Sequence, residues 1–148
     1  MTNGHSMTVK KLIRASRERV FAAWTTPELM RLWFFPEGMS LVSSESDVRV
    51  GGRYRAAMSD GSQTYTAFGV YREIEVGRKL VFSHSWLEQD PRETEVTVEL
   101  SDQDGGTLVT VTHAGLGSEA SAQGHEGGWR GTLQSLAQFL SGTPRSAA

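Results

Sequence analysis

Four histidines, three tyrosines and no cysteine set the chemical repertoire of this 148-residue chain. Without cysteine there are no disulfide scaffolds, thiolate metal sites or cysteine nucleophiles. No serine stands in a Gly-x-Ser-x-Gly elbow, and no glycine-rich stretch ends in the Gly-Lys-Ser/Thr of a phosphate loop. Glu93, Glu95 and Glu99 alternate with Val96, Val98 and Leu100, which marks a solvated sheet face and not an acid–base carboxylate pair. His84 and His113 remain as the candidate catalytic residues. Alternation puts His84 on one face with Leu80, Phe82 and Trp86, and His113 with Val109 and Val111. A neutral imidazole in such an apolar chamber can hydrogen-bond a ligand or shuttle a proton. A metal is not expected. An antiparallel meander sets one strand between the two histidines, with His113 level with Thr94 and Trp86, and His84 nearer Val96 and Val111. Two diagonal histidines fall short of the three protein ligands of a catalytic zinc site. His125 lies on or before a C-terminal helix, and His5 lies near the N-terminus.

The second group with chemical potential is aromatic. Trp33, Trp86 and Trp129, with Tyr54, Met58, Tyr65, Phe82 and Leu133, are predicted to surround a ligand cavity together with His84 and His113. Trp24 reads as plain core. Each tryptophan brings a large apolar area and one N–H that wants a partner. The motif Asp47-x-Arg49-x-Gly51-Gly52-x-Tyr54 also attracts notice, because Arg49 could hold an anion. A simpler account fits the spacing. Paired glycines permit a bend in the sheet, and Asp47 and Arg49, two apart on a strand, pair locally.

These residues must be positioned by elements that the sequence marks. Thr8 to Ala15 reads as a first strand. Ser16 is a good N-cap for a helix over Arg17 to Thr25, and Pro27 suits the first turn of a second short helix capped by Thr26. From Met39 to His113 strand signals dominate. Asp60-Gly61 and Asp104-Gly105-Gly106 are hairpin turns, and Gly69 sits inside a long strand. Trp129, Leu133, Leu136 and Leu140 recur at helical spacing. Gly124, Gly127, Gly128 and Gly131 each cost roughly 1 kcal/mol relative to Ala, so propensity alone starts the last helix near Trp129, although Ser118-Glu119 would start it earlier. Gly142 and Pro144 end it. The expected architecture is α+β: an antiparallel sheet of about six to seven strands around one long C-terminal helix, with two short helices after the first strand. One helix cannot cover such a sheet completely, and the space left over is the natural ligand cavity. A single domain is predicted over 8–141, with disordered tails at 1–7 and 142–148.

Charge and composition limit the partners. A net charge of −2 provides no basic field for nucleic acid or anionic membrane. No apolar run approaches the ~20 residues needed to span a bilayer, and the N-terminal residues lack the apolar segment of a secretory signal. A cytoplasmic protein with no cofactor is expected. An exposed sheet face or edge strand would support a homodimer.

Several segments together resemble a known family. They are RASRERVFAAWTTPELMRLWF (14–34), DVRVGGRYR (47–55), DGSQTYTAFGVYREIEVGRKLVFSHSW (60–86), ETEVTVEL (93–100), GGTLVTVTHAGL (105–116) and GGWRGTLQSLAQFL (127–140). They are similar to the activator of heat-shock-protein-90 ATPase homologue-like family. It belongs to the superfamily of START lipid-transfer domains, pollen-allergen proteins and polyketide cyclases (SRPBCC). The resemblance implies a helix-grip fold and a C-terminal helix that begins before Gly127-Gly128-Trp129. It implies three functions: a binding protein for a small apolar or aromatic ligand, a cyclase- or hydrolase-type enzyme using the same cavity, or a chaperone-interaction module linked to stress response. The resemblance also implies that chaperone activators carry a separate N-terminal domain, so the chain length makes activation of the chaperone the least expected of the three. The residues themselves favour binding over catalysis, with aromatic crowding on one face and few convergent polar groups.

Overall fold

The computed structural model describes residues 5–36, 38–88 and 92–141. The element order is β1 (His5–Ile13), α1 (Arg17–Thr25), α2 (Pro27–Met30), β2 (Ser40–Ser46), β3 (Arg53–Ser59), β4 (Thr64–Glu75), β5 (Lys79–Trp86), β6 (Thr94–Gln103), β7 (Gly106–Leu116) and α3 (Glu119–Ser141). The strands form one antiparallel sheet in the order β1-β7-β6-β5-β4-β3-β2. Strands β2 to β7 are a simple meander. The two short helices carry the chain from β1, on one edge, to β2 on the other. This is the expected α+β helix-grip architecture, and α3 lies against β1 and β7. Strand β1 begins at His5, so residues 5–7, expected in the N-terminal tail, are paired with β7. The remaining tail expectations, 1–4 and 142–148, lie outside the described residues.

Local chemistry explains the boundaries. The Ser16 side chain accepts from the Arg19 N–H at 3.2 Å and starts α1, with Glu18 in the favourable first turn. Ser118 does the same for α3, accepting from the Ser121 N–H at 3.0 Å. That cap, and the burial of Ala122, place the helix start ten residues ahead of Trp129, where glycine propensity alone would put it. The Asp104-Gly105 turn has positive φ at both residues, 49° and 78°, the pair a two-residue hairpin needs.

One close approach shapes the sheet beneath the site. A Cβ at Gly69 would stand 1.9 Å from the Ser83 carbonyl oxygen. The Tyr54 ring, opposite Gly69 on β3, covers the bare glycine and donates its hydroxyl to Ser83 O at 2.9 Å. Ser83 Oγ meanwhile accepts from the Val70 N–H. The β4–β5 register slips just beyond this point, between Tyr71 and Glu73. The core runs along the inner face of the sheet, from Ile13, Val20 and Trp24 through Val96, Val98, Val109 and Val111 to Leu133 and Leu136.

Candidate functional site

A cavity of about 290 Å³ opens between the sheet and the N-terminal half of α3. Its sheet wall is Met58 from β3, Ala67 from β4, and His84 and Trp86 from β5. Phe34 and Pro36, after α2, close one side. The helix wall is Ser121, Gly124, His125, Gly128, Trp129 and Thr132. Those positions follow i, i+3, i+4, i+7, i+8 and i+11, so one helical face lines the space. A Cβ at Gly124 or Gly128 would meet nothing within 4 Å, so these glycines leave open volume.

The histidines form the polar end. His84 pairs with Thr94, and His113 pairs with Val96, the reverse of the register expected from sequence. The positions remain diagonal, yet the side chains lean together until the ring centroids are 4.9 Å apart. His125 from α3 then joins them, 4.6 Å from His113 and 6.1 Å from His84. The expected register is therefore corrected, and His125 adds the third imidazole that two diagonal strand histidines lacked.

Hydrogen bonds assign the protons of two rings. The Ser121 carbonyl can only accept, so His125 Nδ1, 2.8 Å away, carries its proton. His125 Nε2 is then bare and accepts the Trp86 indole N–H at 2.9 Å. The Trp129 indole N–H donates to His113 Nδ1 at 3.1 Å, so His113 holds its proton on Nε2. That proton goes to Thr94 Oγ1 at 2.7 Å, and Thr94 passes its own to the His84 carbonyl at 2.6 Å. His84 Nδ1 is buried with no partner among the described residues. Burial lowers the His84 pKa to about 3, with His125 adding to the effect. Burial likewise lowers that of His113 to about 2, with His84 and His125 adding. Both rings are neutral near pH 7.

Four of the residues assigned to the cavity from sequence line it: Met58, His84, Trp86 and Trp129. His113 sits fully buried behind Trp129 and holds that indole in place. Trp33 is wholly buried against Trp24, ring centroids 4.7 Å apart, and donates to the Ala23 carbonyl at 3.0 Å. Tyr54 and Phe82 pack with Tyr71 in the layer beneath, and Leu133 is fully buried. Tyr65 lies at the β3–β4 hairpin, where its hydroxyl donates to Asp60 at 3.3 Å. Sequence reasoning passed over Phe34, Ser121, Gly124, His125, Gly128 and Thr132. The helical spacing of the last five was the available signal, and it rests on the helix start ahead of Gly127 that the family resemblance implied and α3 shows. Arg49 bonds Asp47 at 2.8 Å on an exposed surface, away from the cavity, as the simpler account of that motif required.

Comparison with known proteins places this geometry. No curated protein matches the sequence. Solved structures of the same fold are numerous. A protein from Chromobacterium violaceum superposes with a TM-score of 0.80 at 22% identity, covering 90% of this chain and 95% of that one. The AHSA1 protein from Silicibacter pomeroyi gives 0.81 at 22% identity, covering 93% and 98%. CalU16 from Micromonospora echinospora gives 0.70 at 26% identity, covering 93% and 76%. The family model described as Activator of Hsp90 ATPase homolog 1-like protein matches residues 14–141, from the end of β1 to the end of α3, and this chain belongs to that family.

Proposed function

We propose that this protein binds one small, mostly apolar or aromatic molecule in the cavity between its sheet and α3. The single observation that carries this reading is open volume bounded by apolar side chains, kept open on the helix side by Gly124 and Gly128. A volume of about 290 Å³ is at the lower end for small-molecule sites, and a few polar groups among aromatic walls is the usual composition of such sites. Acid–base catalysis by His84 or His113 is a poorer fit. An efficient general base has a pKa near the working pH, whereas burial holds these two at about 3 and about 2.

Saturable uptake of a neutral solvatochromic dye such as Nile red, displaced by small aromatic competitors, tests the reading. Gly128→Leu should abolish uptake while preserving the fold, because its side chain would project into the cavity. A wild-type protein that takes up no probe, or a Gly128→Leu variant that binds as well as wild type, removes the proposal.

A further inference from the structure

His84, His113 and His125 come from β5, β7 and α3, and each presents one ring nitrogen within 4.8 Å of the other two. Close packing of three imidazoles is not by itself a site, but two further features bear on it. First, two of the rings are already oriented as metal ligands are. His125 Nδ1–H is tied to the Ser121 carbonyl, and His113 Nε2–H to Thr94, which is anchored in turn on the His84 carbonyl. Outward bonds of this kind fix the tautomer and aim the other nitrogen's lone pair inward. Second, His84 Nδ1 is buried with no hydrogen-bond partner among the described residues, an orphan that folded proteins seldom leave without a reason.

We propose that these three histidines form a binding site for one divalent transition-metal ion, Zn²⁺ or its neighbours Ni²⁺ and Cu²⁺. Three neutral imidazoles suit those ions and not Mg²⁺ or Ca²⁺, which take oxygen ligands. Both His84 and His125 border the cavity, so a fourth coordination position would open onto it. The indole N–H groups of Trp129 and Trp86 cap the lone pairs of His113 Nδ1 and His125 Nε2. An ion must displace both caps, exchanging two neutral hydrogen bonds for three metal–nitrogen bonds. The rings must also close. Nitrogens around one tetrahedral ion at ~2.0–2.1 Å bonds stand roughly 3.3 Å apart, closer than the 4.8 Å within which one nitrogen of each ring now lies. His125 lies beside Gly124, Gly127 and Gly128, where added Cβ atoms would meet nothing, so this stretch of helix has room to shift.

Titration with ZnCl₂ in chelator-free, non-coordinating buffer, read by calorimetry and by tryptophan fluorescence, tests the site apart from any organic ligand. One ion should bind per chain, with a change in indole emission as Trp86 and Trp129 lose their imidazole partners. His125→Ala should weaken binding by at least about tenfold. His125 is only partly buried, and circular dichroism checks that this variant folds. Trp86→Phe, which removes the cap on His125, should tighten binding severalfold. Absence of saturable Zn²⁺ binding overturns the proposal. So does binding that survives His125→Ala unchanged, or a Trp86→Phe variant that binds no tighter than wild type.

Discussion

The two neutral strand histidines should make the metal-free protein acid-sensitive well above the range where carboxylates titrate. His84 is held at about 3 and His113 at about 2, against an ordinary value of 6.5, chiefly because each ring is buried. The unfolded chain therefore takes up protons that the folded chain refuses. The stability gained from keeping both rings neutral is fully present above pH 6.5. It is lost progressively as the pH falls from there toward 3. Between pH 7 and pH 5 each histidine contributes a loss of about 2 kcal/mol, and the pair about 4 kcal/mol. That is a large part of the ~5–15 kcal/mol that holds a domain folded. Among the described residues, His125 and Arg92 are the other ionisable side chains lining this spot, so substitutions are needed to trace the effect. Urea unfolding at pH 7 and pH 5, with EDTA present, measures the loss. His84→Gln and His113→Gln should each remove about half of it, whatever they do to stability at pH 7. A wild-type loss below about 1 kcal/mol, or a loss untouched by both substitutions, refutes the reasoning.

Two further substitutions probe the scaffold beneath the cavity. Gly69→Ala forces a methyl group to within 1.9 Å of the Ser83 carbonyl and 2.8 Å of the Tyr54 ring, so it should destabilise by about 3 kcal/mol in urea unfolding; a change under about 1 kcal/mol means the β4–β5 approach is not tight. Thr94→Val keeps the shape but strands the His113 Nε2–H and removes the donor to the His84 carbonyl. The expected cost is about 2–3 kcal/mol, with a shift of the His113 ring signals in NMR, and unchanged His113 signals would show that Thr94 does not hold that ring.

Much of the fold was legible because its signals are local and repeated. Alternation along Thr94 to Leu100 gives β6 its buried Val96, Val98 and Leu100, and its outward Glu95 and Glu99. Ser16 and Pro27 mark the two short helices where they occur. The site was less legible, for two reasons. Propensity counts each glycine of α3 as a cost and cannot see the Ser118 cap and the tertiary packing that outweigh it. Shortening the helix to Trp129 removes Ser121, Gly124, His125 and Gly128 from the cavity wall. Strand alternation, in turn, tells which face a side chain leaves from but not how far it leans. The 4.9 Å approach of His84 and His113 depends on where Thr94, Trp129 and His125 pull and press the rings. Trp33 shows the same limit. Its neighbour Phe34 reaches the cavity, while Trp33 turns back onto Ala23, a choice made by helix-to-helix packing and not by residue type.

The glycines of α3 also bear on whether the cavity is a site or a packing gap. Interiors of this size ordinarily close to crystal-like density. An open cleft of about 290 Å³ forgoes side-chain packing between its walls, and a larger residue at Gly128 would recover some of it. The helix also forgoes about 1 kcal/mol at Gly124 and again at Gly128 relative to alanine. Two costs therefore fall on the same face, and both would be relieved by the same substitutions. A third joins them in His84, whose buried Nδ1 has no partner among the described residues. A chain that had only to fold would fill the helix face and replace the orphaned ring with an apolar one. The occupants proposed above, a small molecule in the space and an ion on the histidines at its edge, would account for all three together.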